Sequence, residues 1–69
     1  MGLSYAEYIH QYVLKYADGE FTAQDVVRWM SVRHRILPSV TEAAWILRAM
    51  LDIQHYKRDG KLRFRLKRR

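Results

Sequence analysis

Three times in this chain a Ser or Thr is followed, three residues later, by an acidic residue: Ser4 and Glu7, Thr22 and Asp25, Ser39 and Glu42. At a helix start this spacing lets the hydroxyl accept from one orphaned backbone N–H while the carboxylate reaches back to another. Three such starts in 69 residues predict three helices and leave little room for anything else. Leu3 with Tyr8, and Phe21 with Val26, stand where hydrophobic staples would fix the chain's entry into the first two helices. Behind the first cap, Tyr5, Tyr8, Ile9, Tyr12, Val13 and Tyr16 recur at i, i+3, i+4 spacing, and Asp18-Gly19 supplies a stop with Gly19 suited to a left-handed C-terminal position. Behind the second, Ala23, Val26, Val27 and Met30 form the inner stripe, which fades around Arg33 to Arg35. Pro38-Ser39 opens the third helix, whose stripe of Ala43, Leu47, Met50 and Leu51 predicts a run to about Asp52 or Ile53. Glu20-Phe21 is long enough only for a bridging strand.

The end of the chain has a different period. From His55 to Arg69 there are eight Lys or Arg against one Asp, formally +7, while the whole chain is +6 and Met1 to Gln54 therefore sums to −1. Within this segment Leu62, Phe64 and Leu66 alternate with Lys61, Arg63, Arg65 and Lys67, the period of a strand with one apolar and one cationic face. Asp59-Gly60 ahead of it is a strong turn pair, so the segment reads as a β-hairpin. A two-residue loop would set Leu62 opposite Lys57 and Phe64 opposite His55. A three-residue loop, Arg58-Asp59-Gly60, sets Leu62 opposite Tyr56 and keeps apolar residues on one face, so it is the expected register. Lys67 to Arg69 are expected to fray and act as a nonspecific tether.

Composition excludes several classes. A single domain spanning residues 1–69 lies near the lower size limit for a self-sufficient core, and a hydrophobic fraction of 49% argues against disorder. No apolar run approaches the ~20 residues of a membrane span, and the first residues lack the pattern of a signal peptide. With no Cys, the chain has neither disulfides nor thiolate metal sites. The expected location is cytoplasmic and nucleoid-associated, or the host cytoplasm for a viral protein. A sequence pI near 10.1 points to a polyanionic partner, nucleic acid ahead of an anionic membrane surface. Catalysis finds no footing. Gly2, Gly19 and Gly60 form no phosphate loop, and His10, His34 and His55 are scattered without metal-ligand spacing. No cofactor and no small-molecule ligand is expected.

The order helix, short strand, helix, turn, helix, hairpin resembles the winged helix-turn-helix family from Ser4 to Leu66. The resemblance rests on that order, on Phe21-Thr22-Ala23-Gln24-Asp25-Val26-Val27 opening the second helix, and on the Asp59-Gly60 wing followed by alternating Arg and apolar residues. It implies an α+β, mostly helical fold with a C-terminal β-hairpin wing, and a double-stranded DNA-binding protein that regulates transcription. The third helix would lie in the major groove, with Ser39, Thr41, Trp45 and Arg48 toward DNA. The wing would place Lys57, Arg58, Lys61, Arg63, Arg65 and Lys67 on phosphates or the minor groove. Arg48 could fork onto a guanine; Glu42 reads better as its own helix's cap. This helix has no Asn or Gln on its presumed outer face before Gln54, which favours phosphate contacts and shape over a dense base code. A structured-RNA binder and a protein-interaction module are the rival readings.

Arg33, His34 and Arg35 in the connection between the second and third helices read equally as phosphate contacts or as a solvated link anchored by Ile36 and Leu37. The first helix carries more aromatic surface than the roughly 100° stripe a small core needs. Tyr5, Tyr8, Tyr12 and Tyr16, with Leu14 on the opposite side, therefore suggest a homodimer contact. Trp29 is expected at the core margin or an interface. Trp45 is expected to pack under the wing against Tyr56 or Phe64.

Overall fold

The computed structural model describes residues 4–67. Leu3 of the first staple and Arg68 and Arg69 of the basic end lie outside the described residues. Helix α1 spans Tyr5–Tyr16, α2 Ala23–Ser31 and α3 Val40–Arg48, followed by strands β1 Ile53–Arg58 and β2 Lys61–Leu66. This is the expected α+β layout, three helices followed by a C-terminal two-stranded antiparallel hairpin.

All three capping boxes form. Ser4 Oγ accepts from Glu7 N at 3.4 Å, Thr22 Oγ1 from Asp25 N at 3.1 Å and Ser39 Oγ from Glu42 N at 3.1 Å. Each acid reaches back to its cap's backbone N–H, at 3.5, 2.9 and 3.1 Å respectively. Two donors that no helical carbonyl can serve are thus satisfied at every helix start, with the acid also at the positive end of the dipole.

The helix ends differ from expectation. After α1 the chain leaves in extended conformation at Ala17, and Gly19, at φ +106°, serves the connection rather than a left-handed cap. Helix α3 stops at Arg48, short of Asp52. Beyond it, Met50 N bonds Leu47 O and Ile53 N bonds Met50 O, two tight i→i−3 turns that swing the chain into β1. The reason is Ile53. At about 100° per residue a continued helix would point Ile53 some 240° away from Leu47 and out of the core. Breaking the helix instead buries Ile53 in β1 opposite Leu66 and leaves Leu51, expected in the stripe, 90% exposed.

The hairpin register also differs. Arg58 pairs with Lys61, Lys57 with Leu62, His55 with Phe64 and Ile53 with Leu66, so the loop has two residues, not three. Asp59 and Gly60 both take positive φ, 54° and 75°, the backbone of a primed turn whose twist matches the flanking strands. The expected register assumed that β1 keeps an apolar inner face. Its inner face is apolar only at Ile53; His55 and Lys57 lie beyond the core in water, and Tyr56 serves the outer face.

Phe21 pairs with Phe64 through two backbone hydrogen bonds of 2.9 and 2.8 Å, so β2 lies between β1 and the α1–α2 connection. One core then gathers every element: Ile9 and Val13 from α1, Phe21, Ala23, Val26 and Met30 around α2, Ala43 and Leu47 from α3, Ile53 and Phe64 from the hairpin. Among the described residues no polar or charged side chain is buried. Replacing a fully buried Phe by Ala costs about 3–5 kcal/mol, and a domain of this length has only about 3–10 kcal/mol in total. Phe64→Ala is therefore expected to leave the chain largely unfolded in a urea titration followed by circular dichroism. Leu51→Ala should shift the midpoint by less than the equivalent of about 0.5 kcal/mol.

Candidate nucleic-acid interface

Pairing fixes which side chains share a face. Gln54, Tyr56 and Arg58 of β1 stand with Arg65, Arg63 and Lys61 of β2 on the outer face of the hairpin, opposite the core. Because Phe21 turns its ring inward onto Phe64, the preceding residue, Glu20, emerges on this same outer face. Tyr56 Oη donates to Glu20 Oε2 at 2.7 Å, Arg58 Nη1 donates to the same oxygen at 3.3 Å, and Arg63 Nε lies 3.9 Å from Oε1. The Tyr56 hydrogen bond holds the Glu20 carboxyl below its ordinary value of 4.5, with Arg58 and Arg63 adding to the effect and partial desolvation opposing it. The same bond pushes the Tyr56 hydroxyl above its ordinary 10.0, since ionising it would set two anions against each other.

The wing's cations consequently divide. Arg63 is half-buried, its Nε withdrawn from solvent and without a hydrogen-bond partner, so it belongs to the frame of the hairpin. Arg58 is tethered but largely exposed. Lys57, Lys61, Arg65 and Lys67 are exposed and have no ion-pair partner among the described residues. Arg65 and Lys67 line an open cleft with Gln54, Leu66, Ala17, Asp18 and Gly19 at the base of the hairpin.

Helix α3 presents Thr41, Trp45 and Arg48 to solvent. Ser39 Oγ and the Glu42 carboxylate are engaged in the cap. Trp45 does not pack under the wing, as its sequence context suggested. It is 64% exposed, with the Arg48 guanidinium 5.0 Å from its ring centroid. The site it was expected to fill is occupied otherwise: Phe64 stacks on Phe21, and Tyr56 is bound to Glu20.

Arg33 and Arg35 are exposed, but Arg33 turns toward α1, lining a cleft with Tyr8, Gln11, Tyr12 and Lys15. His34 between them is half-buried. Its ring packs edge-on against Tyr8 and Tyr12 at 4.8 and 5.7 Å, with Nε2 3.1 Å from Tyr12 Oη. Of the two hydrophobic anchors expected in this connection, Leu37 packs on the core and Ile36 is exposed. The aromatic surplus of α1 is absorbed in the same way. Tyr5, Tyr8 and Tyr12 pack against the core, and Tyr16 stacks on Tyr12 and meets Trp29, which bridges to Phe21. Of the α1 residues expected at a homodimer contact, Leu14 and Tyr16 are exposed, and Tyr5, Tyr8 and Tyr12 are half-buried.

Glu20 is the residue that sequence reasoning missed. Its signal was parity: with Phe21 inward, the residue before it must face the arginines. Among the described residues no group of three or more His, Asp or Glu is placed to hold a metal, and no helix is long and apolar enough to cross a membrane. No protein-family model, curated protein or solved structure matches the chain.

Glu20→Gln keeps an acceptor for Tyr56 and removes the charge. Because the folded-state pKa of Glu20 is depressed, its stabilisation is complete above the ordinary carboxylate value and lost as pH falls through the lowered one. Because that of Tyr56 is raised, the matching term is complete below about 10 and lost as pH rises through the raised value. The melting-temperature difference between parent and variant should therefore be greatest on a plateau between about pH 5 and pH 9 and shrink on both sides. A difference that is flat across the whole range would show that Glu20 carries no such linkage.

Proposed function

We propose that this domain binds double-stranded DNA, chiefly through phosphate contacts from the outer face and tip of the hairpin, with α3 alongside the groove, and that it serves in transcriptional regulation. The observation that carries this reading is the set of exposed cations on the wing, Lys57, Lys61, Arg65 and Lys67, none of which has an acidic partner among the described residues. Lys61 and Arg65 stand on the outer face of β2, Lys67 continues past its end and Lys57 lies near the tip, so the free charge runs the length of the hairpin. Arg58 is a reserve, able to exchange Glu20 for a phosphate.

The regulatory role rests on the resemblance of the layout to winged helix-turn-helix regulators. The DNA reading rests on charge and shape. Arg48 is the one side chain on the outer face of α3 able to fork onto a base edge, and it lies on Trp45. Binding dominated by backbone contacts is the consequence, with any sequence preference arising from groove shape and deformability.

Fluorescence anisotropy with a random duplex over a range of salt concentrations tests this. Each neutralised phosphate contributes about −0.9 to the slope of log affinity against log salt. Lys61→Ala combined with Arg65→Ala should make the slope shallower by about 1.8 while the melting temperature stays unchanged. No duplex binding even at low salt would remove the reading. Tighter binding to a matched folded RNA would move it to RNA.

A further inference from the structure

We infer that Trp45 and Arg48 form a stacking site for a nucleobase lying outside the double helix, so that the domain prefers DNA with an unpaired base or a single-stranded extension over intact duplex. This rests on the DNA-binding reading above and adds a ligand feature to it.

Trp45 is the largest apolar side chain that the described fold leaves in water. Burying an indole is worth more than burying any other side chain of the outer helix face, and Trp45 stands on the side of α3 away from the buried Ala43 and Leu47. Its position in the helix explains what surrounds it. Thr41 and Glu42, at i−4 and i−3, and Arg48 and Ala49, at i+3 and i+4, share its face, so a hydroxyl and a cation are among the groups that flank the ring. The guanidinium sits over the indole at 5.0 Å and has no ion-pair partner among the described residues. Glu42, the one acid near this face, is held back by the cap, its Oε1 accepting from Ser39 N at 3.1 Å.

An aromatic ring beside an unneutralised arginine matches one half of a nucleotide each. The indole offers a π-face to the base, and the guanidinium offers charge to the adjoining phosphate. Inside an intact duplex both faces of a base are already covered by its neighbours. The π-face becomes available only at an end, a gap, a bulge or an extension. Stacking also tolerates every base, which agrees with an α3 poor in groups that read base edges.

The test compares three ligands by anisotropy: a duplex closed by loops of abasic spacer at both ends, the same duplex with a short single-stranded extension, and that extension made abasic. The extension should tighten binding by about tenfold, and the abasic extension should not. The extension should also quench tryptophan fluorescence in the parent. Trp45→Ala, at an exposed position, should bring the ratio of extended-duplex to closed-duplex affinity from about ten to about one and remove most of the quenching. Trp45→Phe should recover part of the gain. A gain that survives in Trp45→Ala or with the abasic extension overturns the stacking site. So does equal weakening of the closed and extended duplexes by Trp45→Ala, which would mark an ordinary groove contact. Binding to the extension without the closed duplex would overturn the duplex reading and support the stacking site. Binding to none of the three at low salt would overturn both.

Discussion

The pairing of Phe21 with Phe64 is the contact on which the rest of this molecule depends. A two-stranded hairpin alone is marginal in water, since it has one face to bury and nothing to bury it on. Two backbone hydrogen bonds and a pair of rings with centroids 5.9 Å apart join the hairpin to the chain between α1 and α2. The hairpin, bridged at Phe64 to Phe21, closes the helical core with its inner side. The same contact sets the parity of its neighbours. With Phe21 inward, Glu20 must face outward, and the Tyr56–Glu20–Arg58 contacts follow from that single alternation.

The outer face of the hairpin is thus built in two parts with different work. Around Glu20, one carboxylate holds a tyrosine and two arginines, and it stiffens a wing that the small core reaches only at its base. Toward the tip and the chain end, lysines and Arg65 are left without counterions. A wing made wholly of free cations would repel itself, and a wing fully neutralised would have no field to offer a polyanion. Glu20 ties Tyr56 and Arg58 of one strand and Arg63 of the other to the chain before α2, and leaves Lys57, Lys61, Arg65 and Lys67 without an ion-pair partner among the described residues.

What could be read from the sequence was what is local. Each capping box is closed by atoms three residues apart, so Ser4, Thr22 and Ser39 fixed their helix starts independently of the fold. The apolar alternation of Leu62, Phe64 and Leu66 likewise identified β2. The errors fell where two elements compete for one residue. Leu51 fits the α3 stripe and the helix could run on to Asp52 or Ile53, but Ile53 is instead buried in β1, paired with Leu66 of the neighbouring strand. The loop length was decided by the positive φ of both Asp59 and Gly60, against a preference based on an apolar face that β1 does not have. The tyrosines of α1 looked surplus because His34, their main partner, lies in a connection whose path the sequence does not specify. Trp45 was assigned to a space that Phe21 had already filled.

These displacements bear on how the proposed interface would work. Shortening α3 to nine residues leaves barely two and a half turns, and its first turn is occupied with its own cap. Little of it remains to read a sequence. Its exposed side chains are Val40, Thr41, Glu42, Trp45 and Arg48, with none of the amides that pair with adenine. On the proposed reading, then, orientation comes from the core, affinity from the wing, and selectivity from whether the DNA presents a surface on which an indole can stack. A domain with so small a helix gains more from recognising a departure from regular duplex than from spelling out bases, because one exposed π-face is a larger target than any single base edge that α3 could reach.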